Sequence, residues 1–260
     1  MQEHSFKLGR FIVEPGKDIF GLHIHLNRSY TTLQKIRKLI EGEGFSYINE
    51  RICVEADEME AFIVLENKDG DMDSLLTKLD RLLRRRGKVE VVDPIVRGIL
   101  VDLPHFPIKE GERRFILLSM EVLRGLRRNI KLSFGGWVID ALMYHAGLES
   151  GRAAVKKYYS SFIKHDFKFA MNVFYGALHA FGYARTELEF DLMREDRCVL
   201  KLYENWECEI ERPAKNPQGH FIRGLIKGAL EEAVLRNVDV EEKTCIAMGD
   251  ECCTFVVSLK

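Results

Sequence analysis

The sequence predicts an α+β protein built as two domains, and three observations carry that reading. Between residues 19 and 97, strand-like and helix-like runs alternate in the order βαββαβ. The stretch VDLPHFPIKEGERR at 101–114 then interrupts the pattern with two prolines and a glycine among charges. Beyond it come helices, two strand-like runs, a helix and a hairpin, the order expected of an antiparallel sheet with helices segregated to one side. At 260 residues the chain is long enough for two domains of ordinary size.

Each element follows from local pattern. Residues 19–26 (IFGLHIHL) read as a strand. Residues 31–43 read as a helix: Leu33, Ile36, Leu39 and Ile40 share a face, Thr31 or Thr32 can cap the start, and Gly42 and Gly44 punctuate the end. Residues 45–56 and 59–66 form a hairpin through Asp57 and Glu58. Leu75, Leu76, Leu79, Leu82 and Leu83 stripe a helix over 71–84, and 87–97 closes the unit as a strand. The whole is a ferredoxin-like arrangement and is similar to ACT-type regulatory domains, which bind small effectors and often pair; a ferredoxin-like domain used only for dimerisation is the alternative.

The boundaries are therefore 1–103 for the first domain, 104–112 for a linker and 113–260 for the second. A helix is expected from about 113 to 130, then one or two helices over 135–162 broken around Gly147, and an apolar helix over 167–182. Strands follow at 183–193 and 196–207, the second carrying Trp206 at its end. The proline-containing loop RPAKNPQ, a helix over 219–236 and a final hairpin complete the chain.

Composition narrows the function. Lys plus Arg number 39 against 40 for Asp plus Glu, so nothing marks a dedicated nucleic-acid surface. The first eighteen residues are too polar for a signal peptide, and no run reaches the ~18 apolar residues of a membrane span. A soluble cytoplasmic protein is expected, with Cys53, Cys198, Cys208, Cys245, Cys252 and Cys253 as thiols or metal ligands rather than disulfides.

Several patterns carry chemistry weakly. His23 and His25 share one face of a strand, a pair that needs a third ligand before it can hold a metal. The basic run RLLRRRGK at 81–88 suits a helix end, with an anion site as the alternative. Cys252 beside Cys253 suggests vicinal redox chemistry, or two thiols on opposite faces of a strand. Nucleotide-binding glycine motifs are absent, and no Ser-His-Asp order stands out.

The second half is similar to the vinyl-4-reductase-type small-molecule-binding domain. The matching segments are LMYHAGLESGR at 142–152, ALHAFGYA at 177–184, VLKLYENWECE at 199–209, HFIRGLIKGAL at 220–230 and VEEKTCIAMGDECCTFVV at 240–257. The resemblance implies the fold shared with trafficking-particle (TRAPP) subunits, dimerisation, and an elongated apolar cavity. The coupling to an ACT-like domain looks most like archaeal proteins described as hydrocarbon-binding.

That resemblance also implies a metal. Zinc-holding members place a Cys before the last helix and a Glu-x-x-Cys-x7-Cys after it. Here Glu242, Cys245 and Cys253 keep the second part, while Gly219 stands where the first Cys is expected. Cys208 or the neighbouring His220 would complete a tetrahedral, structural zinc site. The alternative makes Cys253 a core residue beside Phe255 and Val257. Hairpin geometry discriminates: a two-residue turn at Gly249-Asp250 points Cys245 and Cys253 to opposite faces, whereas a three-residue loop with a bulge lets them face each other.

The family cavity would be walled by aromatics, with Trp137, Tyr144, Tyr158, Phe162, Phe169 and Phe174 as candidates. The reading is a cytoplasmic regulatory or sensory protein, a homodimer, that binds a hydrophobic or aromatic small molecule. A reductase-type enzyme of tetrapyrrole or aromatic metabolism and a non-catalytic scaffold subunit are the alternatives.

Overall fold

The computed structural model describes residues 7–84, 86–160 and 166–260. The chain is α+β and divides into two compact units, Met1–Ile108 and Lys109–Lys260.

In the first unit, β1 (Phe11–Val13) precedes β2 (Ile19–Asn27), α1 (Tyr30–Gly42), β3 (Phe45–Glu55), β4 (Glu58–Asn67), α2 (Met72–Leu83), β5 (Gly87–Val92) and β6 (Ile99–Val101). The strands form an antiparallel sheet in the order β3-β4-β2-β5, the ferredoxin-like order. One face packs on both helices: Leu22, Ile24 and Leu26 of β2 meet Leu33, Ile36 and Ile40 of α1 and Leu75, Leu79 and Leu83 of α2. The helix caps are Ser29 and Asp71, whose side chains accept from the backbone N–H of Thr32 and Ser74. Ser29 thus takes the role expected of Thr31 or Thr32, because the first turn begins one residue earlier.

The strand expected to run to residue 97 stops at Val92, just before Pro94. Gly98, at φ 79°, turns the chain back so that β6 pairs with β1. This two-stranded ribbon lies on the other face of the sheet, where Ile12 and Leu100 cover Ile19, Phe62 and Val64.

The second unit opens with a hairpin, β7 (Ile108–Glu110) and β8 (Arg113–Phe115), turned at Gly111 with φ 54°. The helix expected from 113 therefore starts later, as α3 (Met120–Phe134). Next come α4 (Gly136–Ala154), continued by a π-helical turn Val155–Tyr159, then α5 (Phe167–Ala180), β9 (Arg185–Phe190) and β10 (Arg197–Tyr203). The unit ends with α6 (Trp206–Ile210), α7 (His220–Val234), β11 (Val238–Thr244), a 3-10 turn Ile246–Met248 and β12 (Cys253–Leu259). Its sheet is antiparallel in the order β11-β12-β10-β9. Leu200 and Leu202 of β10 and Phe255 and Val257 of β12 pack with Met171 and Leu178 of α5 and Ile222, Ile226 and Leu230 of α7.

Two expectations about this unit change. Residues 206–210 are helical rather than the end of a strand: Glu204 at φ 54° turns the chain, and Asn205 caps the helix by accepting from Glu207 N–H. And α4 runs unbroken through Gly147. The glycine is a contact point, not a break. A Cβ on Gly147 would lie 2.1 Å from the Phe221 carbonyl oxygen, and one on Gly151 2.4 Å from that of Leu225. From the other side, a Cβ on Gly224 or Gly228 would lie 2.0 Å from the carbonyl oxygen of Tyr144 or Leu148. Two G-x-x-x-G faces thus let the α4 and α7 backbones touch, which any side chain would prevent.

Gly228→Ala is expected to destabilise the second unit by about 1–3 kcal/mol, the cost of overpacking. Gly176 on α5 has nothing near its would-be Cβ, so Gly176→Ala should be neutral or stabilising by up to ~1 kcal/mol. Both tryptophans, Trp137 and Trp206, lie in this unit, so urea unfolding followed by tryptophan fluorescence separates the two. Equal shifts would contradict the glycine contact.

Candidate functional site

One cluster forms where α6 meets the final hairpin. Cys208, Glu242, Cys245 and Cys253 each place a ligand atom within 4.8 Å of the others. The register explains how. Along β11 a spacing of three residues would put Glu242 and Cys245 on opposite faces. A bulge between Glu242 and Thr244 absorbs one residue, so Glu242 pairs with Phe255 and Thr244 with Thr254. Glu242 and Cys245 then both point inward with Cys253. The connection between the cysteines is longer than either turn considered from the sequence. It holds the 3-10 turn, with Gly249 at φ 106° and Cys245 N–H donating to Asp250 Oδ2 at 2.8 Å.

The surroundings suit anionic sulfur. Cys208, Cys245 and Cys253 are fully buried, and N–H groups approach each of them. Asn205 Nδ2 donates to Cys208 Sγ (3.2 Å) and Cys253 Sγ (3.6 Å), Ile246 N to Cys253 Sγ (3.4 Å) and Gln218 N to Cys245 Sγ (3.5 Å). Asn205 is itself wholly buried, so its amide is committed to these sulfurs. Hydrogen bonds from the Cys208 and Cys253 thiols, with backbone N–H groups, pull the Cys245 thiol well below the ordinary range. Donation to Cys245 keeps Cys208 correspondingly high. Burial, then the negative charge at Cys245, pushes the Glu242 carboxyl up to about 8. Three buried thiols and a partly buried carboxyl therefore lie together, and a divalent cation would be favoured there by replacing their protons. The four residues could hold a metal ion, with N–H donors already arranged around the sulfurs.

His220, the alternative fourth ligand, is turned away, with Nε2 3.5 Å from Asp140 and Nδ1 3.3 Å from Arg223. Gly219 has a role of its own. A Cβ there would sit 2.9 Å from both Glu242 carboxylate oxygens, and the Gly219 N–H donates to Oε2 at 2.9 Å. The glycine leaves the space that this carboxylate fills. Cys252 points to the other face, 3.6 Å from Thr254 Oγ1, and Cys198 is a core thiol that burial pushes up to about 12.

Next to the cluster, Glu207 is buried at the start of α7. Its carboxylate accepts from the N–H groups of Phe221 (2.9 Å) and Ile222 (3.2 Å) and pairs with the buried Arg127 at 2.8 Å. Burial outweighs these partners and pushes its carboxyl up to about 7. Arg127 also reaches Glu211 at 2.9 Å. The pair ties α3 to α6 and to the N-terminus of α7, beside Cys208.

A second feature is an apolar cavity of ≈ 650 Å³, its open mouth included, between α4, α5 and α7. Small side chains make the room: Gly151 and Ala154 on α4, Ala170 and Ala177 on α5, Ala229 and Ala233 on α7. The π-helical turn aims Val155 and Tyr159 into it. Arg113 is the one cation in the lining among the described residues. Its Nη1 donates to Tyr159 Oη at 3.0 Å, and the guanidinium sits over Phe115, Tyr158 and Phe181 at 5.0–5.2 Å. Among the described residues no carboxylate pairs with it.

Of the aromatics proposed for the wall, Phe174 lines this cavity. Tyr158 stands beside it, under Arg113. Trp137 is 77% exposed and Phe169 40% exposed, because their helix positions face away from α7. Tyr144 stacks on Arg223 at 5.3 Å, and Phe162 lies outside the described residues. Tyr159, Phe181, Tyr183 and Arg113 line the cavity in their place. Periodicity could have found Phe181 and Tyr183, which follow the apolar helix; Arg113 had no signal, since its strand was read as helix.

Residues 198–259, which contain all four clustered side chains, match the model of the vinyl-4-reductase-type domain. Over 145 residues, 55% of this chain and 78% of the relative, the chain is 26% identical to the uncharacterized protein MJ0150 of Methanocaldococcus jannaschii. A solved vinyl-4-reductase family protein from the same organism is 20% identical, with a TM-score of 0.38 over 58% of this chain and 85% of its own. The phenol-responsive sensory domain of the transcription activator PoxR, solved with phenol, is 16% identical, with a TM-score of 0.48 over 89% of this chain and 92% of its own. The matched vinyl-4-reductase-type segment spans the hairpin and α7, so the cluster and one wall of the cavity both belong to it.

Cobalt reconstitution checks the cluster. Protein stripped of metal and loaded with Co2+ is expected to show an intense near-ultraviolet thiolate-to-cobalt band. Cys245→Ser should abolish or strongly weaken it, and Cys252→Ser should leave it unchanged. A band insensitive to Cys245 would remove the cluster from consideration.

Proposed function

We propose that this protein is a small-molecule receptor of regulatory or sensory type, whose vinyl-4-reductase-type domain binds an apolar or aromatic ligand bearing one anionic or hydrogen-bond-accepting group. The cavity carries the reading: its walls are alkyl and aromatic, and Arg113, its one cation among the described residues, is partnered there by a phenol hydroxyl and ring faces. Largely apolar pockets with a few placed polar groups are the usual form of ligand sites. An acid head would gain a charge-assisted hydrogen bond from Arg113 while its hydrocarbon part fills the space left by the alanines and glycine. The Cys208, Glu242, Cys245 and Cys253 set takes a structural zinc ion in this reading, since three thiolates and a carboxylate fill a tetrahedron and leave no open position.

The first unit has the strand order of ferredoxin-like domains, which supports an ACT-like regulatory role. A homodimer is supported by the exposed apolar run Ile116, Leu117, Leu118, Val122 and Leu126, since contiguous apolar surface marks association sites. No helix among the described residues is long and apolar enough to cross a membrane, and six free thiols suit a reducing compartment such as the cytoplasm.

Calorimetric titration with a matched pair of probes, decanoate and decanol, tests the ligand class. The wild type should bind decanoate, and Arg113→Met should weaken that binding about tenfold or more, the worth of ~1.5–3 kcal/mol for a hydrogen bond to a charged group. Decanol binding should barely change in that variant. Ala177→Phe, which fills the cavity, should abolish both. Wild-type protein that takes up neither probe, or an Ala177→Phe variant that binds as well as the wild type, would end the receptor reading.

A further inference from the structure

A second donor cluster lies in the first unit, on the sheet face that the β1–β6 ribbon covers. His23 on β2 stands opposite Phe62 of β4, and Glu60 stands one pair further along, opposite His25. All four side chains share that face. The chain leaving β6 then folds down onto it and brings His105 over the sheet. The His105 and His23 rings meet edge to face at 5.0 Å. His23, Glu60 and His105 each offer a ligand atom within 4.8 Å of the others.

The hydrogen bonds dictate which atoms are free. His105 Nδ1 lies 2.7 Å from Asp102 Oδ1. Asp102 is 3% exposed, and its other oxygen takes Arg51 at 2.5 Å with Arg10 at 3.6 Å. The Asp102 carboxylate, held by two guanidinium groups, engages His105 Nδ1 and so leaves Nε2 as the ring atom available for coordination. That nitrogen faces Glu60 Oε2 at 3.4 Å. Nearby, His23 Nε2 is buried with no hydrogen-bond partner among the described residues, a costly state for a polar atom. His23 Nδ1, on the other side of the ring, is 3.8 Å from Glu90. One bound cation would satisfy all three donors.

The geometry points to a divalent transition-metal site formed by His23, Glu60 and His105. Two imidazoles and one carboxylate suit a zinc-type ion, and the Asp102–His105 contact is the carboxylate–histidine pairing that orients a metal-bound imidazole. The Glu60 side chain is 40% exposed, so the site opens to solvent and has room for a water ligand. The ion would pin the segment after β6 to the sheet. His25, the partner expected for His23 from their spacing, is instead 3.4 Å from Glu58.

Metal-stripped full-length protein titrated with Zn2+, with bound metal counted after dialysis by elemental analysis, tests this site. The wild type should hold one more zinc equivalent than His105→Gln, Glu60→Gln or His23→Gln. The Co2+–thiolate band of the cysteine cluster should stay unchanged in all three variants, and Cys245→Ser should keep the histidine equivalent. These variants act on a partly solvent-exposed face, and Glu60→Gln, the most conservative, decides if a histidine variant fails to fold. Equal zinc content in wild type and Glu60→Gln would overturn the proposal, as would a wild type whose bound zinc is fully accounted for by the cysteine cluster.

Discussion

Gly147 and Gly151 face Gly224 and Gly228 with no side chain between the two helix backbones, and most of the second unit follows from that contact. Two helices this close cannot be spaced by larger residues, so the position of α7 is set to within a fraction of a side chain. The first turn of α7 then meets the Glu207 carboxylate, which accepts two of its free N–H groups, and α6 is held in place by the same residue. Cys208 is the next residue along. On its other side α7 turns Leu225, Ala229 and Ala233 toward α5, where they bound the cavity. The cysteine cluster and the apolar cavity therefore adjoin different stretches of one helix, and Gly151 of the contact that positions it also lines the cavity.

The buried charges around that helix explain why such a site tolerates so much polarity. Arg127, Glu207, Asn205 and the three cysteines of the cluster are almost entirely out of water, with Glu242 partly buried. Each is costly alone, and each is answered by a specific partner: Glu207 by Arg127 and two backbone amides, the sulfurs by Asn205 and backbone amides, the Glu242 carboxylate by Gly219 N–H. The three thiols and the carboxyl that lie within 4.8 Å of one another are the set that a bound cation would hold together.

The fold was legible where pattern decides structure. The βαββαβ order emerges from apolar periodicity alone, because helices and strands in that unit each bury one clean face. Glu242, Cys245 and Cys253 could be grouped through the spacing of the family they resemble. Their approach depends on a bulge at Lys243, which no spacing rule reveals, and on a loop longer than the turns that spacing suggests. Cys208 was grouped with them as a candidate beside a strand expected to run to residue 207; Asn205 as a cap and Glu204 at positive φ end that strand at Tyr203 and start a helix. Gly147 was read as a break, because a glycine within a helix signals either a weak point or a close neighbour, and the neighbour lies on a helix far along the chain. For the aromatics, residue type says that they are bulky and apolar but not which turn of helix faces α7. Phe174 lines the cavity while Trp137 and Phe169 face outward for that reason alone. His105 fell within the stretch read as linker, so its meeting with His23 had no local signal.

The central claim is that α7 walls a ligand cavity with its side and that its first turn adjoins a metal-binding cluster built from α6 and the final hairpin. A crystal structure of the full chain soaked with decanoate, with anomalous data at the zinc edge, tests both parts together. The account predicts an anomalous peak equidistant from Cys208, Glu242, Cys245 and Cys253. It also predicts an alkyl chain lying between α4, α5 and α7, with its carboxylate at Arg113. A cavity closed by repacked side chains, or a cluster without metal whose cysteines have drawn apart, would contradict it.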